Sequence, residues 1–404
     1  MDKDLDGILN RKLRRGDFLK LGAVAAGASV LAACGGDEEA AAPAEEPAAV
    51  EPAAAEPTPP PEPAAEARPG IEEEDGNLQV FEWAGYEIPT YGGLTDYIDA
   101  GYPKPQFTFL TSDDQALGKV RAGFKPDVVH PCVSYVKDWV DLGFVQPWDT
   151  SLLTNWKDVN PAFAAGGQVD GQQYFIPADW GFSSILYRTD KVEPESGVDS
   201  WSLFYDDRYK GKISWWDSPI ENFLIWGYTV GQFDAYNWDL WTDAQVEDAK
   251  KYLIEKKKLV RNFWSSQTDF DADFANGNVW IAYSWGASYA AAKSAGLDVV
   301  YAAPKEGRLS WNCGIVLSSE TKNYYHAHAF ADAWISKASA GWIIPNYYYG
   351  HVNLAVDTSG IDPVLVEVFK LDDPNATQEP NAHIERYVPD RRRFAKAWDE
   401  VKAA

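Results

Sequence analysis

The sequence predicts an α/β protein built from two lobes. Apolar, strand-like runs alternate with helical patterns from residue 77 onward, which means βαβ units and a largely parallel sheet. That alternating part is too long for one comfortable core. Apolar residues make up 46% of the chain, enough for a substantial interior.

The chain begins outside the fold. "RKLRRGDFLKLGAVAAGASVLAAC" has a basic start, a short apolar stretch and small residues before Cys34. This is an export signal over 1–34, too short and small-residued for a stable membrane span. "LAAC" (Leu31–Cys34) resembles a bacterial lipobox, so Cys34 is expected to be lipidated and to become the mature N-terminus. Arg14 and Arg15 only loosely match a twin-arginine signal, which leaves the export route open. Residues 35–76 are almost entirely Ala, Pro, Glu and similar residues. Such a stretch cannot bury apolar surface and is expected to be a disordered, extended tether. The expected location is an exported, membrane-anchored lipoprotein facing the periplasm or cell exterior.

The body then reads element by element. "NLQVFEWAG" is a strand ending at Trp83, and "PQFTFLT" a second. Ser112 or Asp113 is expected to cap the helix "SDDQALGKVRAG". "PDVVHPC" reads as a third strand ending at Cys132, and "SYVKDWVDLG" as a helix stopped by Gly143. "GQQYFIPADWGFSSILYRT", "GKISWWDS" and "NVWIAYSW" are further strands. Ligands in parallel sheets bind at the carboxyl ends of strands. Trp83, Cys132, Asp217 and Trp285 all fall there. The C-terminal "RYVPDRRRFAKAWDEVKAA" reads as an amphipathic helix with Arg391–Arg393 on a solvated face.

Composition limits the function. The formal charge is −25, which disfavours nucleic acid as partner. With 18 Trp, 21 Tyr and 18 Phe there are aromatic rings to spare for stacking. There is no Gly-x-Ser-x-Gly elbow, Walker loop or His-Glu-x-x-His, so an enzyme is not expected. "DFDADFANGNVW" lacks the Gly and terminal Glu of a calcium loop. His326 and His328, two apart on a helix, diverge too far to share a metal. No cofactor is implied.

Several segments together resemble the spermidine/putrescine-binding proteins of bacterial ABC importers: "FEWAGYEIP", "KPDVVHPCVSYVKDWVDLGFVQPWDTSLLTNWKDVNPAF", "IPADWG", "YKGKI", "PKEG" and "YGHVNLAV". The resemblance covers nearly all of 77–360. It implies a two-lobed, type II periplasmic-binding-protein-like fold with two crossing hinge strands and a cleft between lobes. Lobe 1 is expected at 77–183 and 312–360, lobe 2 at 184–311 and 361–404. It also implies capture of a polyamine or related organic cation by a monomer that docks on membrane permease subunits. The alternatives are a sugar or quaternary-amine binder and, less favoured, an enzyme.

Carried over residue by residue, the ligand set is Trp83, Cys132, Ser134, Asp217, Glu221, Trp285, Trp311, Cys313 and His351. Two acidic family positions are Gly85 and Cys313 here, so either Glu87, Asp179 or Asp114 compensates or the ligand carries fewer charges. A buried ammonium without a partner costs several kcal/mol, roughly. The fold type also sets the strands of Cys132 and Cys313 side by side, which implies a Cys132–Cys313 disulfide in the exported compartment.

Overall fold

The computed structural model describes residues 70–88, 92–369, 371 and 382–404. The export signal, Cys34 and most of the expected tether lie outside these residues. The tether does not extend to residue 76, however. Ile71–Glu73 form a 3-10 turn, and the Glu74 carboxylate accepts bonds from the Tyr325 and His326 amides at 2.8 and 3.0 Å. A carboxylate that takes up the free N–H groups at a helix start pins the chain to the body.

Two long antiparallel strands run through the middle of a 12-stranded sheet. The first crossing strand is Phe175–Arg188 and the second is Arg308–Ser318. Their register runs from Leu309 opposite Ser183 to Val316 opposite Phe175, with a shift at Cys313/Gly314. Thirteen of the fourteen residues of the first strand are buried, so it reads as a continuous apolar run rather than an alternating one.

Three strands extend the sheet on one side: Val128–Val129, then Gln79–Trp83, then Gln106–Leu110, the last two parallel. Ile281–Trp285, Ile213–Trp216 and Val260–Trp264 extend it on the other. The third strand is shorter than its sequence suggests, because Pro131 carries no N–H to continue the ladder. Pairing resumes only as an isolated bridge between Cys132 and Cys313.

The apolar side chains separate accordingly. One body packs Val80, Trp180, Phe330 and Trp334, with a satellite around Phe81, Trp139 and Val316. The other packs Trp201, Trp215, Phe223, Trp241 and Phe394. Helix Pro363–Phe369 begins just after the expected division at 361. Its Leu365, Val368 and Phe369 join the core of Trp180 and Phe182. Val368 and Phe369 come so close to Gly286 that a Cβ there would meet them at about 3 Å. The helix therefore packs against residues on both sides of the expected division.

Ser112 is the cap of helix Asp113–Arg121 and accepts from Gln115 N at 3.1 Å. Gly143, with φ 71°, ends the next helical segment as expected.

Candidate ligand cleft

All three outer strands of the second body end in tryptophan: Trp216, Trp264 and Trp285. Because these strands are parallel, their ends lie together. Trp285 meets Trp216 at 5.3 Å and Trp264 at 5.0 Å, edge to face. Trp216 stacks on Tyr283 at 5.3 Å. Trp216 and Trp285 stay partly exposed while Trp264 is buried. The result is an aromatic wall with a firm back. Trp311 packs over Gly181, where a Cβ would fall 2.5 Å from its ring, and meets Tyr349 edge-on at 4.8 Å. Trp83 packs at the boundary of the first body's two cores. No ring contact joins Trp83, Trp285 and Trp311 among the described residues.

Three carboxylates from separate segments lie within electrostatic reach: Glu221 and Asp113 both act on Glu385, and Glu221 also acts on Tyr283, which stacks on Trp216. Asp113 opens the second helix of the first body and accepts from Cys132 N at 3.0 Å. Burial pushes its carboxyl up to about 7, although that bond and the Arg391 and His130 charges pull it back. Glu221, in the first turn of helix Pro219–Trp226, bonds the Ser218 hydroxyl. Burial raises it too, partly offset by the Ser218 and backbone bonds and by Arg391. Glu385 follows the short strand Ala382–Ile384, which pairs with Arg308–Ser310. The Asn312 N–H donates to it at 3.4 Å, and the Ser134 hydroxyl also bonds to it. Burial and the Glu221 and Asp113 charges hold Glu385 up at about 8. Asn312 itself is 1% exposed, and its side-chain amide makes no hydrogen bond among the described residues.

A second acidic group lies deeper, at the strand ends of the first body. The Glu82 carboxylate sits 2.5 Å from His130 Nδ1, and Asp179 lies 3.5 Å from His130 Nε2. The Tyr86 hydroxyl donates to Asp179. Burial would pull the imidazole down, but the Glu82 and Asp179 charges more than reverse this and hold it at about 10. His130 is thus an internal imidazolium between two carboxylates. Asp179 lies within ion-pair distance of His130 and accepts from Tyr86, while its Oδ1 makes no hydrogen bond among the described residues.

Several expected ligand residues are placed otherwise. Asp217 turns to the C-terminal helix, where it accepts from Trp398 Nε1 at 2.7 Å and from Lys402 Nζ at 3.0 Å. It does not pair with Glu221. His351 is buried and neutral: it accepts from Asn353 N at Nδ1 and bonds the Trp334 carbonyl through Nε2, and burial lowers it to about 4. Cys132 and Cys313 are bonded to each other, so neither presents a thiol. Glu87 accepts from Gly85 N at 2.6 Å, which fixes the turn after Trp83. The Asp114 carboxylate accepts from the Tyr135 hydroxyl at 3.3 Å. Ser134 remains in the cleft through Glu385.

The sequence leaves the role of Trp216 undecided and does not point to Asp113 and Glu385 as site residues. The repeated terminal Trp of "ISWW", "VRNFW" and "IAYSW" is a local signal for the first. Asp113 looks like an ordinary cap, and Glu385 lies beyond every matched segment.

A model of the bacterial extracellular solute-binding protein family matches residues 109–344. The chain belongs to that family. Family and fold are those of binding proteins, not enzymes. This solute-binding protein is 25% identical over 361 residues to the putrescine-binding periplasmic protein PotF of Escherichia coli, covering 82% of this chain and 92% of that one. It is 28% identical over 242 residues to a putrescine/agmatine-binding protein of Pseudomonas aeruginosa, covering 55% of this chain and 64% of that one. Its fold matches the spermidine/putrescine ABC transporter substrate-binding protein PotD of Streptococcus pneumoniae with a TM-score of 0.66, at 17% identity and over 81% and 97% of the two chains. It also matches MotA of A. tumefaciens in complex with glucopine with a TM-score of 0.62, at 14% identity over 81% and 99%. The two-lobed periplasmic binding architecture is therefore shared by proteins with different ligands.

Proposed function

We propose that this protein captures a polyamine or similar small organic cation outside the cytoplasm and delivers it to an ABC permease. The observation that carries the reading is the trio Asp113, Glu221 and Glu385, drawn from both bodies and set beside the Trp216–Trp285 wall. An alkyl diamine has charged ends and a greasy stem. Carboxylates match the ends, and indole faces match the stem and attract the charge by about 0.5–2 kcal/mol each. The curated relatives named for putrescine support the same chemistry.

The crossing strands Phe175–Arg188 and Arg308–Ser318 serve as the hinge, and closure brings Asp113 and Ser134 toward Glu221. The closed form is what the permease recognises. Lipidation of Cys34 holds a monomer at the membrane surface. In this reading 77–183 and 312–360 form lobe 1 and 184–311 and 361–404 form lobe 2, with helix Pro363–Phe369 packing against residues of lobe 1.

A thermal-shift panel of putrescine, cadaverine, spermidine, choline, betaine and neutral sugars tests the ligand class. Amines are expected to raise the melting temperature in a saturable way. A shift with a sugar and none with any amine overturns the reading.

A further inference from the structure

Helix Arg391–Ala403 opens with Arg391, Arg392 and Arg393 and has no acidic residue in its first turn. Cations at a helix N-terminus oppose its dipole. Phe394, Trp398 and Val401 bind the helix to the second body. The solvated-face reading holds for Arg392, which is exposed, but not for Arg391.

The Arg391 side chain is 18% exposed and reaches the first body. Its Nη2 donates to the Ser134 carbonyl at 2.5 Å and to the Asp138 carboxylate at 3.3 Å. Its guanidinium carbon lies 3.6 Å from the centre of the Tyr135 ring. The charge also acts on Asp113 and Glu221. A cation on an aromatic face, held by a carbonyl and a carboxylate beside further buried acids, is how a ligand ammonium group would be held.

We propose that Arg391 is a resident cation that fills the Ser134–Tyr135 end of the cleft and so limits the length and charge of the ligand. A diamine finds Glu221, Glu385 and the tryptophan wall. The additional ammonium of a triamine meets the guanidinium and is repelled. This inference rests on the organic-cation reading above and names the specificity device within it.

The test is calorimetric titration of putrescine and spermidine into the wild-type protein and into Arg391→Ala, Arg391→Gln, Arg391→Lys and Arg392→Ala, with melting curves to establish folding. The wild type is expected to prefer putrescine. Arg391→Ala and Arg391→Gln are expected to shift the ratio of the two dissociation constants at least tenfold toward spermidine. Arg391→Lys and Arg392→Ala are expected to keep the wild-type ratio. If both amines bind and the ratio does not move in Arg391→Ala and Arg391→Gln, the inference fails while the cation reading stands. If both variants fail to fold, Arg391 is a structural clamp and the inference also fails. If the wild type binds neither amine, the reading and the inference fall together.

Discussion

Two acidic clusters sit at strand ends in this molecule, and they have opposite fates. Glu82 and Asp179 enclose His130, and all three are at most 1% exposed. Asp113, Glu221 and Glu385 come from both bodies and lie nearer the surface; Arg391 acts on the first two, Asp113 also feels His130, and Glu385 has only the other two acids as charged neighbours of note. The first cluster carries its own counter-charge between its two acids. The second has acids to spare. Buried negative charge alone does not mark a ligand site; buried negative charge without an internal partner does.

The sharpest way to break the comparison is to remove the partner where one exists. Among the described residues no Arg or Lys pairs with Glu82 or Asp179, so His130→Gln leaves two buried carboxylates with no cation between them. Breaking a buried pair costs about 3–5 kcal/mol. Urea unfolding is expected to show a loss of that order. A loss below about 1 kcal/mol would mean the cluster is not held by charge.

The converse experiment removes an acid where there are too many. Glu385→Gln is expected to weaken diamine binding about ten- to a hundredfold, the value of one charge-assisted contact of about 1.5–3 kcal/mol. Its effect on the ligand-free fold has the other sign. Burial first, then the Glu221 and Asp113 charges, raise Glu385 to about 8 and burial raises Asp113 to about 7, above the ordinary carboxyl value near 4. A group raised on folding stabilises at low pH, and that contribution is lost as pH climbs through the folded value. Ligand-free melting temperature is therefore expected to fall between about pH 5 and 8.5. A bound cation favours the ionised form, so amine affinity is expected to rise over the same window. Glu385→Gln is expected to flatten both slopes. Equal slopes in both proteins would remove Glu385 from the site.

What the sequence made legible was local. Strand ends carry their tryptophans in the primary pattern, and Ser112 sits where a cap belongs. The pairing of Cys132 with Cys313 followed from the resemblance, once two crossing strands were expected. What stayed hidden depends on which way a side chain faces after assembly. His351 follows a glycine as a ligand group would, yet its ring is used by the Trp334 carbonyl and the Asn353 amide. Glu385 matched no segment, because only the pairing of Ala382–Ile384 with the second crossing strand carries it to Asn312 and Ser134.

Asp217 gives the finest test, because it and Glu221 stand on one strand-to-helix turn and were expected to act together. The structure sends them apart. Asp217 holds Trp398 and Lys402 and so fastens the C-terminal helix to the strand end, while Glu221 joins the cleft. Asp217→Asn is expected to leave amine affinity within about twofold. It keeps a side chain that can accept from Trp398 but loses the exposed pairing with Lys402, which is worth about 0–1 kcal/mol. Titration and urea unfolding of the same preparation read the two effects separately. A loss of affinity as large as that of Glu385→Gln would return Asp217 to the ligand set and dissolve the distinction between acids that are spent on the fold and acids that are left for the ligand.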